Sequence, residues 1–329
     1  MKKRIYLFAL LGLLLSVLLS LCLGAANLSL GQLLSAILGG AQDTAGFIFW
    51  YARLPRTLAC LLAGAALAAS GCILQKVLGN SLASPGIIGV NAGAGLAVTL
   101  SCALGFLSGW SVAISAFLGA LAAAGCVMLL SRKTGASRTT VILSGVAMNS
   151  ILSGLRDAVT TLVPEVTALS GEFRVGGFSA VTGQRLLPGG ILIAAALLLA
   201  LTLCTQLDVL ALGEDTARSL GMDLDRLRRL FLILAALLAG AAVSFAGLLG
   251  FVGLLVPHGA KWLLGSESRN QLPLSLVLGA AFVTASDLAA RLVFAPYEIP
   301  VGILMSVIGG PCFLWLLLNR RKGGSYAGN

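Results

Sequence analysis

Apolar residues in this chain come in long runs, separated by short polar or glycine- and proline-containing stretches. A helix needs about 20 mostly apolar residues to cross a bilayer. Runs of this kind predict spans at roughly 5–26, 57–75, 85–106, 111–130, 138–160, 188–207, 230–250, 252–265, 273–294 and 300–318. The eighth is short and ends in VPHGAKWLLG, where Pro257 is expected to kink it and Gly259 to ease a non-helical turn. Ten spans put both termini on one side. The expected fold is an all-α polytopic membrane protein, a single transmembrane domain over 1–329. Its first span lies within 1–26, a loop runs over 208–229, and a tail over 319–329.

One stretch breaks the apolar pattern, GEDTARSLGMDLDRLRR from Gly213 to Arg229. Glu214 and Asp215 stand at the start of a short helical segment and Arg218 stands nearer its end, the order that suits a helix dipole. Gly221 is a plausible stop, and Asp223 can cap a second helix that runs through Arg226, Arg228 and Arg229 into the seventh span. Leu212, Ala217, Leu220 and Met222 give this polar loop an apolar edge. Two readings fit: a knob that docks on a soluble protein, or an ordinary basic loop.

Composition agrees with the pattern. The chain is 58% hydrophobic and 10% charged, with 41 glycines, whereas soluble domains are about 25% charged. Such small and aliphatic residues suit helices packed closely in lipid. Charge then orients the spans. One face carries Lys2, Lys3, Arg4, Lys76, Arg132, Lys133, Arg138, Arg218, Arg226, Arg228, Arg229, Lys261, Arg269, Arg320, Arg321 and Lys322, sixteen of the 22 basic residues. Arg53, Arg56, Arg156, Arg174, Arg185 and Arg291 fall on the other. The positive-inside rule puts the richer face, both termini and the charged island in the cytoplasm. The net charge of +10 is then the bias of cytoplasmic loops and calls for no nucleic-acid partner.

The chemistry that is missing narrows the function. Lys2, Lys3 and Arg4 precede a Leu-rich run longer than a signal-peptide core and without an A-x-A-like cleavage site, so an uncleaved first span is expected. The seven cysteines are scattered and none has C-x-x-C spacing, which argues against a metal site or a disulfide framework. His258 is the one histidine, and no Gly-Lys pair exists, so the chain carries no P-loop. Asp287 is the one acid well inside a predicted span, with Arg291 four residues on along the same helix face. Ion-driven carriers need acids at mid-depth. A transporter build without either engine implies an external energy source. The competing classes are an ion-coupled secondary transporter and a purely structural membrane subunit.

Four stretches together resemble one family: RLPRTLACLLAGAALAASGCILQKVLGNSLASPGIIGVNAGAG, LGEDTARSLGMDLDRLRRL, GFVGLLVPHGAKWLLG and DLAARLVFAPYEIPVGILMSVIGGPCFLWLL. The chain, from about Arg53 to Leu318, resembles the membrane subunit of FecCD-type ABC importers for iron–siderophore complexes, haem and cobalamin. That resemblance implies the type II importer architecture: ten spans, a second permease subunit (a homodimer is expected), two ABC ATPase subunits and a substrate-binding protein. It implies a metal-chelate cargo, an iron(III)–siderophore first and haem or cobalamin as alternatives. ATP and Mg would sit on the ATPase, and this chain would bind no cofactor of its own and catalyse no reaction. By the same resemblance Glu214, Asp215, Ala217, Arg218, Leu220 and Gly221 contact the ATPase, and Arg53, Arg56 and Arg291 receive acidic residues of the binding protein. One departure is visible: Asn80-Ser81-Leu82-Ala83 stands where the family reads N-P-L-A, which restores a backbone N–H and loosens that loop.

The remaining candidates are weaker. Arg53 and Arg56 flank Leu54-Pro55, and Pro55 is expected to hold the chain extended with both guanidinium groups outside the membrane; lipid anchoring is the other reading. Gly64, Gly71, Gly240 and Gly247 read as helix-packing positions. Ala63–Gly71 and Ala239–Gly247 match at five positions, as an inverted repeat would. Asn91 and Asn149 are candidates for a wet pathway or an interhelical bond, and Pro257 with His258 for a gate or a structural break.

Overall fold

The computed structural model describes residues 2–24, 28–41, 43–133, 137–212, 222–295 and 297–323. Those residues are helical wherever they are regular. In chain order the helices are α1 (Lys2–Cys22), α2 (Leu30–Gly39), α3 (Thr44–Phe47), α4 (Leu54–Val77), α5 (Val90–Ala103), α6 (Gly109–Lys133), α7 (Arg138–Leu162), α8 (Glu165–Leu169), α9 (Gly171–Val175), α10 (Gly183–Thr202), α11 (Cys204–Ala211), α12 (Leu224–Ala246), α13 (Val252–Leu264), α14 (Ser268–Leu292) and α15 (Val301–Gly323). A π-helical turn, Ile48–Arg53, joins α3 to α4, and a 3-10 turn, Pro85–Ile88, precedes α5.

Every predicted span has its helix. Among the described residues, six helical stretches are long and apolar enough to cross a membrane: α1, the continuous run Thr44–Val77, α6, α10, α12 and α14. Helix α7 has the length, at 25 residues, but falls outside that set. The α5 and α13 helices, of 14 and 13 residues, reach only about 20 Å at 1.5 Å per residue.

Helix α4 is the axis of the bundle and packs on α12, α13 and α14, most extensively on α14. Its sequence explains this. Ala63, Gly64, Ala66, Ala68, Ala69, Ser70 and Gly71 form a buried run of small side chains that lets neighbouring backbones come close. A Cβ at Gly64 would lie 2.2 Å from the Gly279 carbonyl oxygen of α14, and one at Gly71 would lie 1.8 Å from that of Gly253 in α13. Helix α1, by contrast, buries only Ser16 and Ser20 and turns its leucines outward.

Three expectations need correction. Pro55 does not hold the chain extended. Arg53 and Leu54 are helical, because the π turn feeds straight into α4 and Pro55 sits in its first turn, where a missing N–H costs nothing. Helix α13 is not broken at Pro257. It runs through the proline, whose missing N–H strands the Gly253 carbonyl four residues back. The Gln75 side chain donates to that carbonyl instead (3.3 Å), and to Leu254 O at 3.2 Å. The break falls earlier, at Gly247–Phe251, where α12 ends on Gly247 (φ 69) and Phe251 takes φ 65. Gly247 is thus a helix stop and a packing position at once, since a Cβ there would lie 2.5 Å from Phe173 O and 3.0 Å from Gly176 Cα; Gly240 packs against Ala120 and Phe117. Finally, α2 fills a stretch read as a connection, capped by Ser29 and Gln32.

Candidate functional site

The site is built at both ends of the α4–α14 pair. At the Arg56 end, α1 finishes with carbonyls that no further helix turn can satisfy. Arg53 Nη1 donates to Leu21 O at 3.0 Å and to Leu23 O at 2.6 Å. Arg291 donates to Leu23 O (3.2 Å) and to Ser20 Oγ (2.8 Å), and Ser20 Oγ lies 3.0 Å from Thr57 Oγ1. Two guanidinium groups thus sit on the negative end of a helix dipole. They are buried, at 6% and 5% exposure. Arg53 and Arg291 thus turn their guanidinium groups into the bundle rather than into solvent.

Arg56 reaches across to α14. Its Nε and Nη2 form a fork on the Asp287 carboxylate, at 3.0 Å to Oδ2 and 3.0 Å to Oδ1, and its Nη1 donates to Glu298 at 2.7 Å. Arg291 pairs with Asp287 within α14 at 3.1 Å, as the i, i+4 spacing predicted. Asp287 is 1% exposed, whereas Glu298 is 38% exposed. One buried carboxylate thus faces two arginines, and the outward side of Arg56 ends on an accessible acid. The two-pronged arrangement is the strong form of arginine–carboxylate pairing. Sequence reading found Asp287 and Arg291 but missed the stronger partner, since nothing in the sequence pairs α4 with α14.

The other end was missed altogether. Lys76, at the last turn of α4, donates to Asp208 of α11 at 2.8 Å and also to Ser266 O. The same carboxylate accepts Ser268 N–H at 2.9 Å and Ser268 O–H at 2.6 Å. Burial alone would push the Asp208 carboxyl up, but its bonds from Lys76 and Ser268 prevail and hold it below the usual carboxylate range. Arg138, opening α7, donates to Leu210 O at 2.9 Å. Tyr6 donates to Asn270 O at 2.8 Å, and Lys2 lies 3.6 Å from Glu267. These residues gather at one end of the bundle, as the charge count had grouped Lys2, Lys76 and Arg138. A cavity of about 730 Å³ opens beside them, lined by Lys76, Asn80, Asp208, Lys261 and Glu267 among others.

Between the ends, the turn before α5 is clasped. Asn149 Nδ2 donates to Gly86 O at 2.7 Å. A Cβ on Gly86 would lie 3.8 Å from Asn91 Nδ2, so the two asparagines flank one turn. Pro257 is buried and its carbonyl accepts from Gln271 at 3.0 Å, while His258 beside it is half-buried. The asparagine pair and the Pro257–His258 pair are separate features.

Glu214, Asp215, Ala217, Arg218, Leu220 and Gly221 lie outside the described residues. Their borders are described: α11 ends at Ala211, and α12 opens on Asp223, which accepts Arg226 N–H at 3.1 Å as its cap. Within 208–229, residues 208–211 belong to α11 and residues 224–229 to α12. All seven cysteines are free, and no group of three or more metal-ligating side chains occurs among the described residues.

The described residues form a bundle of apolar helices, six stretches of which are long enough to cross a membrane, tied by ion pairs at its ends. The chain belongs to the FecCD transport family, whose model matches residues 12–319. It is 35% identical to the hemin transport system permease protein HmuU of Yersinia pestis, over 98% of this chain and 99% of that one. It is 36% identical to the ferric enterobactin transport system permease protein FepD of Escherichia coli strain K12, over 93% and 92%. A solved structure assigned as an inward-facing conformation of a metal-chelate type ABC transporter superposes with a TM-score of 0.86 at 28% identity, covering 97% of this chain and all of that one. This chain is accordingly a permease subunit of the ABC-importer kind.

Proposed function

We propose that this chain carries a metal chelate, an iron(III)–siderophore, from a binding protein across the cell membrane into the cytoplasm, powered by ATP hydrolysed with Mg on a separate ATPase. The observation that carries the reading is full-length kinship with permeases for such cargo. Haem or cobalamin is the alternative reading, because permeases for haemin and for vitamin B12 are as similar as the enterobactin one.

The pathway lies between two copies of the chain, along α7. That helix buries only Val141 and Gly145. Its exposed side mixes Leu143, Val146 and Ile151 with Ala147, Ser150, Gly154 and Asp157. Lipid is a poor neighbour for that polar share, whereas a second subunit and a wet channel accept it. Asn91 and Asn149 then hold the turn beside the channel, and Pro257 and His258 stand at the inner helix as gate candidates. The binding protein docks at the Arg56 end. An incoming carboxylate meets Arg56 first, where Glu298 now sits, with Arg53 and Arg291 behind it.

The ATPase docks on Glu214–Gly221. Ala217→Arg or Leu220→Asp is expected to abolish uptake and ATPase co-purification while the permease still inserts, because an unpaired charge would be buried in the contact. The test is uptake by proteoliposomes holding the permease, its ATPase and binding protein, offered a ferric siderophore, haemin or cobalamin in parallel. Uptake and co-purification at wild-type level in those variants would remove the loop from the mechanism. Uptake of haemin alone would replace the siderophore reading.

A further inference from the structure

We infer that α4 and α14 move as one strut, and that Asp208 is the positioning residue that ties the ATPase-contacting segment to its foot. This rests on the reading that residues 214–221 meet the ATPase and that the Arg56 end meets the binding protein.

The geometry has three parts. At the top, the Arg56 fork on Asp287 joins the first turn of α4 to the last turns of α14. In the middle, Gly64 and Gly279 bring the two backbones into contact too close for any Cβ. At the foot, Lys76 and Ser268 converge on one carboxylate, that of Asp208. Arg56 and Lys76 are separated by about 30 Å along α4. Sliding α4 against α14 would break the ion pair at the top and the shared carboxylate at the foot together, so displacement of one end reaches the other as a rigid shift.

Asp208 belongs to neither strut helix. It sits on α11, whose last residue, Ala211, leads directly to the segment at 213. Its carboxylate takes the N-cap role for α14 that Glu267, the residue in that position, leaves unfilled. A carboxylate at a helix N-terminus is favoured by the dipole, and the Lys76 ammonium adds a second hold. The base of the ATPase-contacting segment is therefore fastened to the foot of both strut helices through one side chain, which remains 32% exposed at the surface.

The experiment uses the full complex in liposomes, with Asp208→Asn, Asp208→Glu, Lys76→Met and Ser268→Ala. It reads ATPase co-purification, binding-protein affinity, and the ratio of hydrolysis with loaded binding protein to hydrolysis without it. Asp208→Asn and Lys76→Met are expected to lower that ratio at least about fivefold, the lower bound of a typical coupling between sites, with docking affinity at the wild-type value. Asp208→Glu should restore most of it. A wild-type ratio in both Asp208→Asn and Lys76→Met overturns the inference. If neither assembles, Ser268→Ala decides, since it removes only the hydroxyl bond: a ratio lowered about twofold supports the inference and an unchanged one overturns it. Failure of the underlying reading shows differently, as a wild-type permease that captures no ATPase or is not stimulated by any binding protein.

Discussion

Asp287 ties α14 to α4 through its pairing with Arg56. It is 1% exposed and neutralises Arg56 while pairing with Arg291. Removing one member of a buried pair leaves a charge without compensation, at a cost of about 3–5 kcal/mol. Asp287→Ala is therefore expected to lower the unfolding midpoint in detergent sharply. Glu298→Ala, at the accessible end of the same arginine, should cost about 0–1 kcal/mol. Equal shifts for the two would show that Asp287 is not the hub. Sequence reading reached part of this node, because Asp287 and Arg291 are four residues apart on one helix. The Arg56 fork spans 231 residues of sequence and depends on α4 lying beside α14, which no local pattern announces. Asp223, by contrast, was legible as a cap since a cap needs only its own three following residues.

Among the elements, α4 is set by the absence of side chains. Two glycines differ sharply in the room around them. At Gly71 an added Cβ meets the Gly253 backbone at 1.8 Å, whereas at Gly12 of α1 it meets nothing within 4 Å. Relief at Gly71 requires α4 and α13 to part, and overpacking of this kind costs about 1–3 kcal/mol or more. Gly71→Ala should reduce yield and thermal midpoint, and Gly12→Ala should leave both unchanged; a harmless Gly71→Ala would mean that α13 shifts freely. Spans were readable because a bilayer demands long apolar runs. Helix α2 escaped because ten residues fall below that length, although Ser29 and Gln32 form the capping box that marks a start. The break before α13 was misassigned to Pro257. Helix interruption needs unsatisfied backbone as well as proline, and Gln75 supplies the missing donor from another helix.

For the whole molecule, the structure gathers Lys2, Lys76, Arg138 and Asn270 at one end and Arg53, Arg56 and Arg291 at the other. By the positive-inside rule the first end is expected to be the cytoplasmic one. A reporter fused after Lys322 should then be active only as a cytoplasmic fusion, and one inserted in the loop at Asp43 only as an external one. The reverse result would invert the importer.

Phe251 has a consequence at this same scale. It holds φ 65 between α12 and α13, the only described non-glycine residue with a positive φ, and its ring lies against Gly309 of α15. A left-handed conformation costs an ordinary residue about 1–2 kcal/mol, which corresponds to a population ratio of roughly 5–30. The ring contact with α15 offsets that bias in the arrangement described here. Phe251→Gly would remove that backbone cost together with the ring, and so sets about an order of magnitude of conformational preference against the loss of one contact with α15.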